Sequence, residues 1–291
     1  MTFGISFAPL VPDYVLWAVT ALAVAVVVLL VFVGALFAPF LAPYAPDAQP
    51  FDGLSLDGAP LPPDARYWLG TDTLGRDLLS RLLYGTRVSL FVGIVCSLVS
   101  AFLGVLIGLF AGFRGGMTDA IVMRITDAFL CFPPLIFILA MSAALGPGLH
   151  NVMLSFALFG WTGFARIARG QVLLVRELPF IEAARSVGIR PARIMLRHVL
   201  PNILAPVLVA MTITIGTAIL VESGVSFLGL GVQPPAASWG KELRVGFTYL
   251  EAAPLFSIAP GVMISLAIIA FNFVGDGLRD ALDPRLRGVR T

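Results

Sequence analysis

Charge is what this sequence has least of. Asp, Glu, Lys and Arg make up 12% of its 291 residues, about half the share of an ordinary soluble domain, and Lys241 is the one lysine among nineteen basic residues. A soluble chain of this length needs polar side chains to cover its outside. With 58% apolar residues and a mean hydropathy of +0.95 it has too few, so lipid must be much of its solvent. A net charge of +2 gives no general attraction to nucleic acid. Cysteine is scarce too: Cys96 and Cys131 lie in apolar runs with neither disulfide nor metal-ligand spacing, and they read as packing residues. Two distant histidines, His150 and His198, do not make a metal site by themselves. No Gly-x-x-x-x-Gly-Lys-Ser/Thr loop exists, because the lone lysine stands in Gly240-Lys241-Glu242, so nucleotide binding by that route is excluded. HExxH and GxSxG are absent as well, which leaves no metalloprotease or hydrolase signature. No Lys or Arg precedes the first apolar run and no small-residue cleavage site follows it, so no removable signal peptide is expected.

What is present is a series of long apolar runs. A hydrocarbon core about 30 Å thick takes roughly 20 helical residues to cross. Val15 to Phe40 and Val88 to Phe113 meet this easily. A third run, about Ile121 to Leu145, carries Arg124 and Asp127 near its start and Pro133-Pro134 inside it, where a kink is expected. A fourth begins near Asn151, meets Arg166 early, and should continue beyond the membrane. The fifth covers about Ile203 to Val221 and the sixth about Phe256 to Val274. The sequence thus predicts an all-α polytopic membrane protein of about six transmembrane helices. With both termini in the cytoplasm, thirteen basic residues fall inside and six outside, the bias that positive-inside topology requires. Residues 1–87 then form a first span with a Pro- and Asp-rich outer loop, and residues 88–291 a core transmembrane unit. From Trp68 onward, Leu78, Leu82 and Leu83 opposite Asp77, Ser80 and Arg81 suggest a surface-lying amphipathic helix.

The inner loop, about 166–202, is the most informative segment. Pro179 opens a helix, as proline does at a first helical position, and Gly188 ends it in the left-handed conformation. A second short helix should start near Pro191 and stop before Pro201. Phe180, Ala184 and Val187 would form an apolar stripe, and Arg190, Arg193 and Arg197 a basic one. Either this pair of helices docks on another protein, or it rests on lipid headgroups as an ordinary positive-inside loop.

The stretch EAARSVGIRPARIMLRHVLPN, Glu182 to Asn202, resembles the EAA loop of permease subunits of binding-protein-dependent ABC importers. WLGTDTLGRDLLSRLLYGTRVSL (68–90), SFLGLGVQPPAASWGKEL (226–243) and FNFVGDGLRDALDPRL (271–286) resemble the C-type permease of the dipeptide, oligopeptide and nickel systems. That resemblance implies an ABC importer permease fold in the bacterial cytoplasmic membrane. It also implies a second permease, two ATPase subunits or domains, and an extracytoplasmic binding protein. ATP would be used by those partners and no cofactor held by this chain. Peptide is the implied cargo, with nickel chelate, glutathione or another small solute as alternatives within the family. A secondary transporter or channel is the rival from another class, and it would require coupling charges inside the spans. By resemblance, Glu182, Ala183, Ala184, Gly188, Arg193, His198 and Pro201 would face the ATPase. Three further residues are candidates for the path or a gate. Arg124 and Asp127, three apart, read either as that or as an internal ion pair orienting their helix. Glu222, ahead of Gly224, Gly229 and Gly231, reads either as path-lining or as a hydrogen-bond acceptor for loop amides.

Overall fold

The computed structural model describes residues 13–282, with side chains from Ala25 onward. Among them there are helices and loops but no strands, and two isolated bridges, Leu54 with Pro60 and Thr71 with Asp77, are the only β pairing. The helices are α1 (Asp13–Leu36), α2 (Ala38–Leu41), α3 (Leu78–Arg114), α4 (Gly116–Leu130), α5 (Pro134–Leu145) and α6 (Leu149–Val175). They continue with α7 (Pro179–Ser186), α8 (Pro191–Ile194), α9 (Leu200–Phe227), α10 (Trp239–Phe247) and α11 (Pro254–Leu282).

Three segments are long and apolar enough to cross a membrane: α3, the run Pro191–Phe227, and α11. A fourth is the pair α4 and α5, bent by 84° where Pro133 and Pro134 interrupt the backbone ladder, as the sequence predicts. Helix α1 has 24 residues, of which Ala25–Leu36 is the apolar part with described side chains. Helix α6 has 27, and Arg166 and Arg169 shorten its apolar part. The six runs of the sequence therefore correspond to six helical segments, one of them broken, of which three, or four with the broken pair, are long and apolar enough among the described residues to cross a membrane.

One expectation is corrected at the outer end. No surface-lying helix starts near Trp68; α3 begins at Leu78, where the Asp77 carboxylate accepts from the Ser80 amide at 2.8 Å, and runs unbroken for 37 residues. The division drawn between residues 87 and 88 falls inside this one helix. Ser80 and Arg81, taken as its polar outward face, are fully buried.

The closest packing is between α3 and α6. Gly104, Gly108 and Gly112 recur every four residues and so share one face of α3. A methyl group on Gly104 would strike Phe164 and the Trp161 carbonyl, and one on Gly108 the Ala165 carbonyl; on Gly112 it would lie 3.1 Å from Val172. Below this seam a core of Ala168, Val172, Val175, Ile181, Ala184, Ile194, Val199 and Ile203 joins α6 and α9 to the loop between them. A second core at the other end gathers Leu78, Leu82, Trp239, Phe256 and Phe271 from α3, α10 and α11.

Candidate functional site

The loop between α6 and α9 starts from Arg176, whose guanidinium donates to the Gly112 carbonyl at 2.8 Å and ties the end of α6 to the end of α3. Helix α7 then ends as its sequence predicts. Gly188 has φ +79°, its amide donates to the Arg185 carbonyl at 2.9 Å, and the Ile189 amide reaches the Ala184 carbonyl at 3.1 Å. These two bonds and the left-handed glycine define a Schellman motif, which satisfies carbonyls that the helix end would leave open.

Two other expectations for the loop do not hold. The buried face of α7 is Ile181 and Ala184, not Phe180, Ala184 and Val187; Val187 is 81% exposed, because it caps the helix where the 3.6-residue period has ended. The second helix does not stop before Pro201 either. Helix α8 passes into a π-turn over Met195–Val199, where the Leu200 amide bonds back to Met195, and then continues as α9. The wider turn relieves the clash that a proline ring makes with the carbonyl four residues earlier in an α-helix.

Glu182, Ala183, Gly188, Arg193 and Pro201 are on the surface; His198 is half-buried in the π-turn. Ala184 is 8% exposed and belongs to the core beneath the loop. The charged part of the outward surface is Glu182, Arg185, Arg190, Arg193 and Arg197, mostly cationic and without ion-pair partners among the described residues, and apolar Phe180, Val187 and Leu196 are exposed beside it. Arg185 lies over the Phe113 ring at 5.6 Å, which anchors α7 to the end of α3.

The three candidates for the path are dispersed. Arg124 and Asp127 are not paired with each other. Asp127 accepts instead from Arg166 of α6 at 2.5 Å, and Arg124 is exposed with no ion-pair partner among the described residues. Glu222 is 1% exposed. It accepts from Ser226 Oγ at 2.7 Å and Ser89 Oγ at 3.3 Å, not from loop amides; Ser226 Oγ in turn accepts from the Val232 amide.

Sequence reasoning missed a cluster of charge at the outer end. Arg81 is fully buried and gives two nitrogens to Glu242 of α10, at 3.0 and 2.8 Å, and a third to the Pro46 carbonyl at 2.9 Å. Asp72 lies 3.4 Å from it and binds Arg76 at 2.6 Å. Burial and Arg81 lower the Lys241 pKa beside this cluster. Arg81 and Glu242 are 161 residues apart, so no local spacing signals their pairing.

A helical bundle with three or four membrane-length apolar segments, a structured cap at one end and a cationic loop at the other is the architecture of an integral membrane protein. The model of the family described as binding-protein-dependent transport system inner membrane component matches residues 104–288, and the chain belongs to that family. It is 41% identical over 262 residues to the dipeptide transport system permease protein DppC of Bacillus subtilis (strain 168), covering 90% of this chain and 80% of that one. It is also 41% identical over 267 residues to the glutathione transport system permease protein GsiD of Pectobacterium atrosepticum, covering 92% and 87%. Among solved structures, an inward-facing methionine ABC transporter, MetNI, matches with a TM-score of 0.50 at 21% identity, over 67% of this chain and 94% of that chain. This last likeness concerns the fold alone.

Proposed function

We propose that this chain is one of two permeases in an ATP-driven importer that moves di- or oligopeptides across the bacterial cytoplasmic membrane, with both of its termini in the cytoplasm. The observation that carries this reading is the outward-facing, cationic, Schellman-capped loop in a chain that has no phosphate-cradling sequence of its own. On this reading the loop meets a separate ATPase that supplies the energy, and the family's description as an inner membrane component of binding-protein-dependent transport supports a multi-subunit assembly. The docking role falls on Glu182, Ala183, Arg193 and their exposed neighbours, while Gly188 shapes the loop. Ala184 supports it from below, and His198 and Pro201 form the start of the helix that leaves it. ATP binding on the partners would displace α7 and shift the bundle between inward- and outward-open states, a change of population between two conformations. An extracytoplasmic binding protein would deliver the cargo. No cofactor is assigned to this chain.

The relatives named for dipeptide and for glutathione point to one cargo chemistry, a short zwitterionic peptide; a nickel chelate is the alternative within the family. The test is reconstitution in proteoliposomes with the second permease, the ATPases and the binding protein. Labelled dipeptide should accumulate with ATP, and the isolated chain should hydrolyse none. Accumulation of a nickel chelate alone, or nucleotide hydrolysis by the isolated chain, would overturn the reading.

A further inference from the structure

Two ion pairs join α4 to α6, and their exposures run in an unexpected order. Asp119 and Arg169, nearer the cationic loop, are bonded at 3.0 and 2.6 Å, with side chains 14% and 34% exposed. Asp127 and Arg166 lie farther from the loop, Asp127 eleven residues along α4 from Gly116, about 16 Å of helix, yet they are 53% and 56% exposed. Charges facing lipid should become more covered with depth, since ionisable groups in a span are costly and face protein or water. Here the deeper pair is the more open one. Arg124, one turn before Asp127, is exposed with no ion-pair partner among the described residues. Directly beyond, at the 84° break, stands an aromatic cluster: Phe129 lies 5.8 Å from Phe137 and 5.8 Å from Trp161, and Phe137 lies 5.2 Å from Phe159.

We propose that this face of α4 and α6 lines the water-filled path, and that Asp127, Arg166 and Arg124 receive the charged ends of a zwitterionic cargo. Asp127 meets the ammonium and the two guanidinium groups meet the carboxylate. The Asp127–Arg166 pair can exchange its internal bond for bonds to the cargo, so neither member of that pair is left unpaired at either stage, while exposed Arg124 gains a partner only when cargo binds. Because the internal bond competes, the cargo is held weakly enough to leave. Helix α6 runs nine residues from Arg166 to its end, about 14 Å, and leads straight into the docking loop, so partner and cargo act on one rigid element. The proposal rests on the peptide-importer reading above, and the experiment separates the two.

Cys131 stands exposed at the break while Cys96 is buried, so the unaltered chain carries its own reporter. In the assembled transporter, a charged membrane-impermeant thiol reagent should modify Cys131 at least tenfold faster than a cysteine at Leu30 of peripheral α1 (Leu30→Cys, Cys131→Ser), and nucleotide trapping should change the rate. Modification only in the isolated subunit would mean that the second permease covers this face, and modification no faster than at Leu30 would mean that lipid does; either overturns the proposal. Asp127→Asn should lower peptide uptake by about tenfold or more, the loss of one charged hydrogen bond, with ATPase co-purification and ATP hydrolysis kept. Unchanged uptake by that variant would remove the charge role. No uptake by the unaltered transporter would instead refute the cargo assignment.

Discussion

The two ends of this subunit treat charge in opposite ways. At the end that carries α10, Arg81, Asp72, Asp77 and Glu242 are buried and bonded to one another or to neighbouring side-chain and backbone groups, in part across residues that lie far apart in sequence. At the end that carries α7, Glu182, Arg185, Arg190, Arg193 and Arg197 are all exposed, and none has an ion-pair partner among the described residues. Buried charge that satisfies itself serves folding, since removing one partner strands the other in a medium of low polarity. Exposed charge without partners contributes little to folding and is free to meet another molecule. The comparison assigns the buried cap to architecture and leaves the exposed loop free for the recognition role proposed above.

The comparison breaks first at its strongest point. Arg81→Ala should cost about 3–5 kcal/mol by leaving the Glu242 carboxylate buried and unpaired. The expected outcome is a sharp fall in membrane-inserted yield and in the detergent melting temperature. A paired replacement, Arg81→Met with Glu242→Leu, should recover most of the loss, and a failure to recover would show that the Pro46 contact matters more than the ion pair.

An intermediate effect is expected at Gly188. A β-branched residue there must adopt φ near +79°, at a cost of roughly 1–2 kcal/mol, although no atom stands within 4 Å of its added carbon. Gly188→Val should therefore keep the subunit inserted while it misdirects α7, read as loss of ATPase co-purification. Gly188→Asn, which tolerates the left-handed region better, should restore part of it.

The smallest stability effect and the sharpest functional one meet at Glu182. Glu182→Lys alters an exposed side chain and should change stability by no more than about 0.5 kcal/mol. If the loop docks on an ATPase, transport and co-purification should be lost; if it rests on headgroups, the added positive charge should strengthen the attachment. Transport that survives Glu182→Lys with the ATPase still bound would place the outer-versus-inner contrast on other residues.

Much of this arrangement was legible locally. The break at Pro133-Pro134 and the cap at Gly188 depend on a few adjacent residues and on backbone sterics, so the sequence announces both. Counting apolar runs located the helices, because hydrocarbon thickness imposes its own length, but only three of them, or four with the broken pair, reach that length and apolarity among the described residues. What failed depended on distance or on one-turn ambiguity. Arg81 looked like a solvated residue because its partner is on α10, and Asp127 looked paired to Arg124 because Arg166 lies 39 residues away. In an eight-residue helix, two overlapping apolar stripes are equally compatible with the sequence, and only the core beneath selects Ile181 with Ala184. Pro201 misled because a π-turn can absorb a proline that an α-helix rejects.

The glycine seam has a mechanical consequence. At Gly104 and Gly108 the backbones of α3 and α6 approach closely, and Leu109, Phe164 and Val172 fill the rest of the seam, so the two helices are packed as one plank. One end of that plank carries the docking loop through α6, and the other carries the cap through Arg81 on α3. On the docking role proposed above, a push on α7 would pass along this plank toward the Arg81 cap, and the compliance needed for opening would reside at the broken joint between α4 and α5.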